Sequence, residues 1–182
     1  MSTKAIISVD IQNDYFPGGK WELVGMEAAG ANAAKVLAAA RKAGDHVVHI
    51  RHEFPTSDAP FFAPGSEGAA IHQVAAALPD EPVVLKNQIN SYRDTNLKEI
   101  LDSKGVQEVV IIGAMSHMCV DAITRASADF GYKPTLIHDA CASRDLEFNG
   151  TVVPAKHAHA AYMSALGFAY AKMQSADEYV SA

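Results

Sequence analysis

Four times along this chain a helix-like segment closes on a glycine and an apolar, strand-like run follows, at Gly44, Gly105, Gly131 and Gly167. Helix, glycine, then strand is the pattern of βαβ units, whose crossovers are right-handed and whose strands are mostly parallel. The runs fall at residues 5–9, 46–50, 83–85, 109–112, 134–138 and 168–173. Helices are expected over 28–43, 96–104, 120–130 and 156–166, and Ser175 with Glu178 forms a capping-box pair for a short last helix. The run Val109-Val110-Ile111-Ile112 is wholly β-branched, which suits a strand covered on both faces. No repeat period and no low-complexity linker divides the 182 residues. The expectation is one α/β domain over 1–182, with helices on both faces of a mostly parallel, doubly wound sheet.

Composition narrows the partners. A net charge of -6 leaves no basic footprint for nucleic acid or an anionic membrane. The apolar runs are strand-length, too short to span a bilayer, and the first one begins without a signal h-region. Two cysteines do not make a disulfide framework. A cytoplasmic chain acting on a small molecule, with neither nucleic-acid nor membrane partners, is expected.

In open parallel sheets the active site lies at the carboxyl ends of the strands. Asp10 and Lys86 each end an apolar run, and Cys119 closely follows a third, at the start of the next helix. A charge at the end of a buried strand is costly unless paired, so Asp10 and Lys86 are expected to face one another. A thiol in the first turn of a helix lies beside unpaired N–H groups and the positive end of the dipole, and a nearby lysine adds to both. Cys119 is therefore expected to be a nucleophile of lowered pKa, with Asp10 as base and Lys86 as electrostatic partner. The bland alternatives are a small buried hydrophobe at Cys119 and a purely structural ion pair between Asp10 and Lys86. Cys141 is the rival nucleophile, without a visible partner to lower its pKa. No G-x-G-x-x-G follows the first run, so the pyrophosphate seat of a dinucleotide-binding domain is missing and no cofactor is expected. Two long loops, 15–25 and 54–68, have the length of lids or binding loops. They carry Trp21, Phe61 and Phe62, which with Phe16 and Tyr92 are candidate pocket aromatics, though each suits a core or a subunit interface equally well.

Taken in order, Val9-Asp10-Ile11-Gln12-Asn13-Asp14-Tyr15-Phe16, Lys86, Asn90-Ser91-Tyr92, Thr95-Asn96-Leu97, Gly113-Ala114-Met115-Ser116-His117-Met118-Cys119-Val120, Arg125-Ala126, Gly131-Tyr132 and Asp139-Ala140 form a pattern. It resembles that of the isochorismatase-like cysteine hydrolases, which include nicotinamidases, N-carbamoylsarcosine amidase and other small amidases. The resemblance covers nearly the whole chain. It implies a Rossmann-like, six-stranded parallel sheet and an Asp–Lys–Cys triad at Asp10, Lys86 and Cys119. It also implies a non-proline cis peptide at Ala114–Met115 and an oxyanion hole made by the Met115 and Cys119 N–H groups. The implied reaction is cleavage of a small amide-type C–N bond through a thioester. A homo-oligomer, dimer or tetramer, is expected.

The chain also departs from that pattern. Metal-dependent nicotinamidases carry Asp-x-His after the second strand and a further His downstream. Here the stretch is Arg51-His52-Glu53-Phe54, followed by His72. His52, Glu53 and His72 are the residues from which a site would have to be improvised, and no metal is expected. His52 is instead expected to line the pocket or to donate a hydrogen bond to substrate. Two other readings stay open. One is hydrolysis of the vinyl ether of isochorismate, for which family members can lack the cysteine. The other is a non-catalytic α/β binding module with an unreactive Cys119.

Overall fold

The computed structural model describes residues 2–182. The chain runs β1 (Lys4–Val9), α1 (Met26–Ala43), β2 (His46–His52), β3 (Val83–Lys86), α2 (Leu97–Ser103), β4 (Glu108–Ala114) and α3 (Cys119–Asp129). It continues as β5 (Lys133–Ala142), β6 (Leu146–Phe148), β7 (Thr151–Val153), α4 (Ala155–Ala169), β8 (Lys172–Gln174) and α5 (Ala176–Val180). Six strands form one sheet in the order β3-β2-β1-β4-β5-β8. Every pairing in it is parallel. The chain moves outward from β1 in one direction, returns to place β4 beside β1, and moves outward in the other. The β1/β4 junction is therefore the switch point of a doubly wound sheet, where a crevice opens at the carboxyl ends.

Side chains alternate between two cores, as the pleat requires. From β1 and β4, Ile6, Val110 and Ile112 point into one core, with Met26, Ala33 and Leu37 of α1 and Ala176 of α5. Ala5, Ile7, Val9, Val109 and Ile111 point into the other, with Leu97 and Leu101 of α2, Ile123 of α3 and Leu166 of α4. The continuous β-branched run in β4 is thus explained by burial on both faces. One glycine is fixed by this packing. Gly113 has φ 124, and a Cβ there would collide with the Val9 carbonyl, so only glycine lets β4 pass this close to the end of β1.

The structure corrects the expected elements in three places. Gly167 does not end a helix: α4 continues to Ala169, because the missing side chain lets the helix pass Met173, whose Cγ would lie 2.8 Å from a Cβ. The last sheet strand accordingly shrinks to Lys172–Gln174. An antiparallel hairpin, β6–β7, was not expected; its turn is Asn149-Gly150, both at positive φ, as a two-residue hairpin turn requires. Strand β5 also runs on past His138, with a register shift opposite β4 that sets Cys141 beside Gly113 inside the sheet. The capping box at Ser175 and Glu178 forms as expected. Among the described residues, no helix is long and apolar enough to cross a membrane.

Candidate active site

The switch point collects the three residues singled out at the strand ends. Asp10 follows β1 with φ 51 and is fully buried. Lys86 ends β3, and its side chain crosses the ends of the intervening strands to reach the other two. The Lys86 ammonium lies 2.9 Å from Asp10 Oδ2 and 3.3 Å from Cys119 Sγ. Its third neighbour is His52 Nδ1, at 2.7 Å, from the last residue of β2. An ammonium has three N–H donors and no acceptor, so carboxylate, thiol and imidazole use all of them. Cys119 opens α3, where the first N–H groups of a helix have no helical carbonyl to bond. The Ala114–Met115 bond just upstream is cis.

Two residues that follow Asp10 in the sequence, Gln12 and Asp14, hold the surrounding loops. The fully buried Gln12 side chain donates to the carbonyls of His52 (2.8 Å) and Ala69 (2.7 Å) and accepts from the His52 N–H (2.8 Å). It thereby fixes the end of β2 on which His52 sits. Asp14 accepts the N–H groups of Lys20 (3.1 Å) and Phe62 (2.7 Å), joining the 15–25 and 54–68 loops. Those loops build an aromatic wall. Trp21 stacks on Phe61 at 4.5 Å, Phe61 meets Phe54 edge-on at 5.0 Å, and Phe54 meets His52 at 4.9 Å. Phe62 and Tyr15 close it, 4.6 Å apart. Burial raises the Tyr15 pKa well above its usual value, and the nearby Cys119 and Asp10 add to the effect.

Of the candidate pocket residues, His52, Trp21 and Phe61 come together, joined by Phe62. Phe16 and Tyr92 do not. Phe16 instead stacks on His72 at 3.6 Å, and the two line a cavity with Asp14 and Gly19. Tyr92 bonds Ser127 at 2.8 Å and packs on Phe130 and Tyr132 in the core beneath α3. Tyr15 and Phe54 join this aromatic cluster and were not singled out from the sequence. Their signal was position alone, one following the Asp-x-Gln-x-Asp run and the other following β2.

An isochorismatase domain model matches residues 4–165. The chain belongs to the isochorismatase family. The isochorismatase family protein YddQ of Bacillus subtilis is 41% identical over 178 residues, 98% of this chain and 99% of its own. A crystal structure described as an isochorismatase hydrolase of Oleispira antarctica is similar along 100% of both chains, with 55% identity and a TM-score of 0.96. The streptothricin hydrolase of Streptomyces noursei is 33% identical over 150 residues, 79% of this chain and 51% of its own. The protein is thus a hydrolase of the isochorismatase family, with the α/β sheet the resemblance implied.

In this isochorismatase-family site the protonation state differs from the expected one. Burial pushes the Cys119 thiol well above its usual pKa, and the Asp10 carboxylate adds to that, while Lys86 pulls the other way without prevailing. The resting group is a thiol, and the expectation of a lowered pKa is corrected: the helix terminus is outweighed by burial and by a carboxylate beside the sulfur. Burial in the sheet pushes the Cys141 thiol up as well, to about 12. Burial opposes the charge on Lys86, but the Asp10 carboxylate more than offsets it and the Lys86 pKa is raised.

The metal question turns on the same lysine. His52, Glu53 and His72 do not converge. Glu53 accepts the Gly65 N–H at 3.2 Å and pairs with Arg51 at 3.3 Å, while His72 caps Val74 and stacks on Phe16. Ligand atoms of Asp10, His52 and Cys119 do lie within 4.8 Å of one another. The Lys86 ammonium, however, stands 2.7–3.3 Å from all three and takes the place a metal cation would need. These residues do not fit a catalytic metal. Exhaustive chelation is expected to leave turnover unchanged; loss of activity restored by zinc, iron or manganese would overturn this.

Proposed function

We propose that this hydrolase cleaves a small amide-type C–N bond through a thioester on Cys119. The observation that carries the reading is the Lys86 ammonium, bonded at once to the buried carboxylate and the buried thiol. Asp10 takes the thiol proton as the sulfur attacks the carbonyl carbon, and Lys86 stabilises the negative charge as it passes from carboxylate to sulfur. The N–H groups of Met115 and Cys119 hold the resulting oxyanion. Asp10 then gives its proton to the departing ammonia or amine as the C–N bond breaks. A water, deprotonated by the same carboxylate, attacks the thioester; the C–S bond breaks, the acid leaves and the thiol is restored.

The cysteine favours this reaction over vinyl ether hydrolysis, because a thioester needs a nucleophile and ether hydrolysis does not. The relatedness to a streptothricin hydrolase supports catalysis over a non-catalytic binding module. The same reading takes 1–182 as one catalytic domain in the cytoplasm, where two buried free cysteines stay reduced. It also includes a homo-oligomer, consistent with Phe148 and Val152 standing exposed on the β6–β7 hairpin.

A panel of small amides with isochorismate included, assayed for ammonia and acid release, tests the reading. At least one amide is expected to turn over, to leave an acyl mass adduct on the peptide carrying Cys119, and to fail with Cys119→Ala. Turnover of isochorismate alone, or amide turnover that survives Cys119→Ala, would reject it.

A further inference from the structure

The orphaned nitrogen of His52 points to what the substrate must carry. The Lys86 ammonium donates to Nδ1 at 2.7 Å, so that nitrogen is the acceptor and the ring proton sits on Nε2. Burial first, and the Lys86 charge second, lower the His52 pKa to about 4, with Asp10 only partly opposing them, so the ring is neutral at physiological pH. Its Nε2 is buried and has no partner among the described residues. Buried N–H groups are nearly always bonded, and one without a protein partner beside a nucleophile suits a ligand acceptor.

We infer that His52 is a specificity residue whose neutral Nε2–H donates to an uncharged acceptor on the acyl side of the substrate, within a few bonds of the carbonyl carbon. The inference rests on the amidase reading and deepens it. The reach is limited because the imidazole has a ring nitrogen within 4.8 Å of both Cys119 Sγ and Asp10, and Nε2 belongs to the same five-membered ring. The acceptor should be uncharged because the walls around the ring are Phe54 and Phe62, and the one ammonium within reach already has its three acceptors. The preferred substrate class is therefore small amides bearing an ether, carbonyl or aromatic-nitrogen acceptor close to the acyl carbon. A purely aliphatic amide leaves the donor unpaired.

Two measurements test this independently. Long-range proton–nitrogen correlation spectra of the ligand-free protein should show His52 as the Nε2–H tautomer, without titration from about pH 5 to about pH 8. An Nδ1–H tautomer, or an ordinary titration, overturns the inference. The second compares methoxyacetamide with butyramide, which has a methylene in place of the ether oxygen. The wild type should favour the ether by about tenfold to hundredfold in kcat/KM. His52→Phe should erase that preference, and His52→Gln, which keeps an N–H near the Nε2 position, should restore part of it. An equal preference in wild type and His52→Phe overturns the inference while leaving the amidase reading intact. No turnover of either amide by the wild type counts against the amidase reading, and the tautomer measurement then decides the donor by itself.

Discussion

Asp10→Asn is expected to cost on the order of 10²–10⁴ in turnover while leaving the fold in place, because the amide keeps the carboxylate's shape but cannot move a proton twice per cycle. The same substitution should make Cys119 easier to alkylate. The Asp10 charge is one of the two main causes that hold the thiol pKa up, and Lys86 pulls it down. Removing the carboxylate leaves the ammonium facing the sulfur alone, so at a given pH more thiolate is present. Iodoacetamide should then label Cys119 faster in Asp10→Asn than in the wild type, while the rate at Cys141 stays unchanged. Lost turnover with faster labelling is the signature of a removed base. Unfolding would expose Cys141 as well, so that thiol serves as an internal control. A folded Asp10→Asn variant with near wild-type turnover on a confirmed amide would rule out the proton relay.

That contrast also marks how far the sequence could be read. Asp10, Lys86 and Cys119 were legible because two lie at the end of an apolar run and the third at the helix start that follows one, and a parallel sheet brings such ends together. The protonation state of Cys119 was not. Its chain neighbours favour a thiolate, but its spatial neighbours, burial and Asp10, decide for the thiol. Gly131 ended its helix at φ 89 as read, whereas Gly167 has the same identity and a different reason, room for Met173. The Asn149-Gly150 turn stood in the sequence, but the strands it joins are three residues each, too short to register as runs. The pocket aromatics were half legible, since loop residues reach the site only through tertiary bonds such as those of Asp14 and Gln12. Tyr92, which follows Asn90-Ser91, packs in the core instead.

Lys86→Ala should be the most damaging single change, and its damage should depend on pH. It removes the charge that passes between carboxylate and sulfur, so turnover is lost. It also leaves Asp10 buried without a cation, which typically costs about 3–5 kcal/mol, against a whole-protein stability of about 5–15 kcal/mol. The pair Asp10→Asn with Lys86→Met removes both charges together, and should be much closer to wild type in stability than the single-site costs add up to, though still inactive. His52 sets the pH dependence. In the wild type its folded pKa, about 4, lies below the unfolded value, so the protein forgoes stability as pH falls through the unfolded histidine pKa. In Lys86→Ala the ammonium that lowers it is gone and Asp10, which raises it, remains. Imidazolium then replaces ammonium beside Asp10. The stability gap between variant and wild type should therefore be smaller at about pH 5 than at about pH 8, measured by chemical denaturation. A gap that is constant, or wider in acid, would show that His52 does not share the site of the Asp10–Lys86 pair in solution.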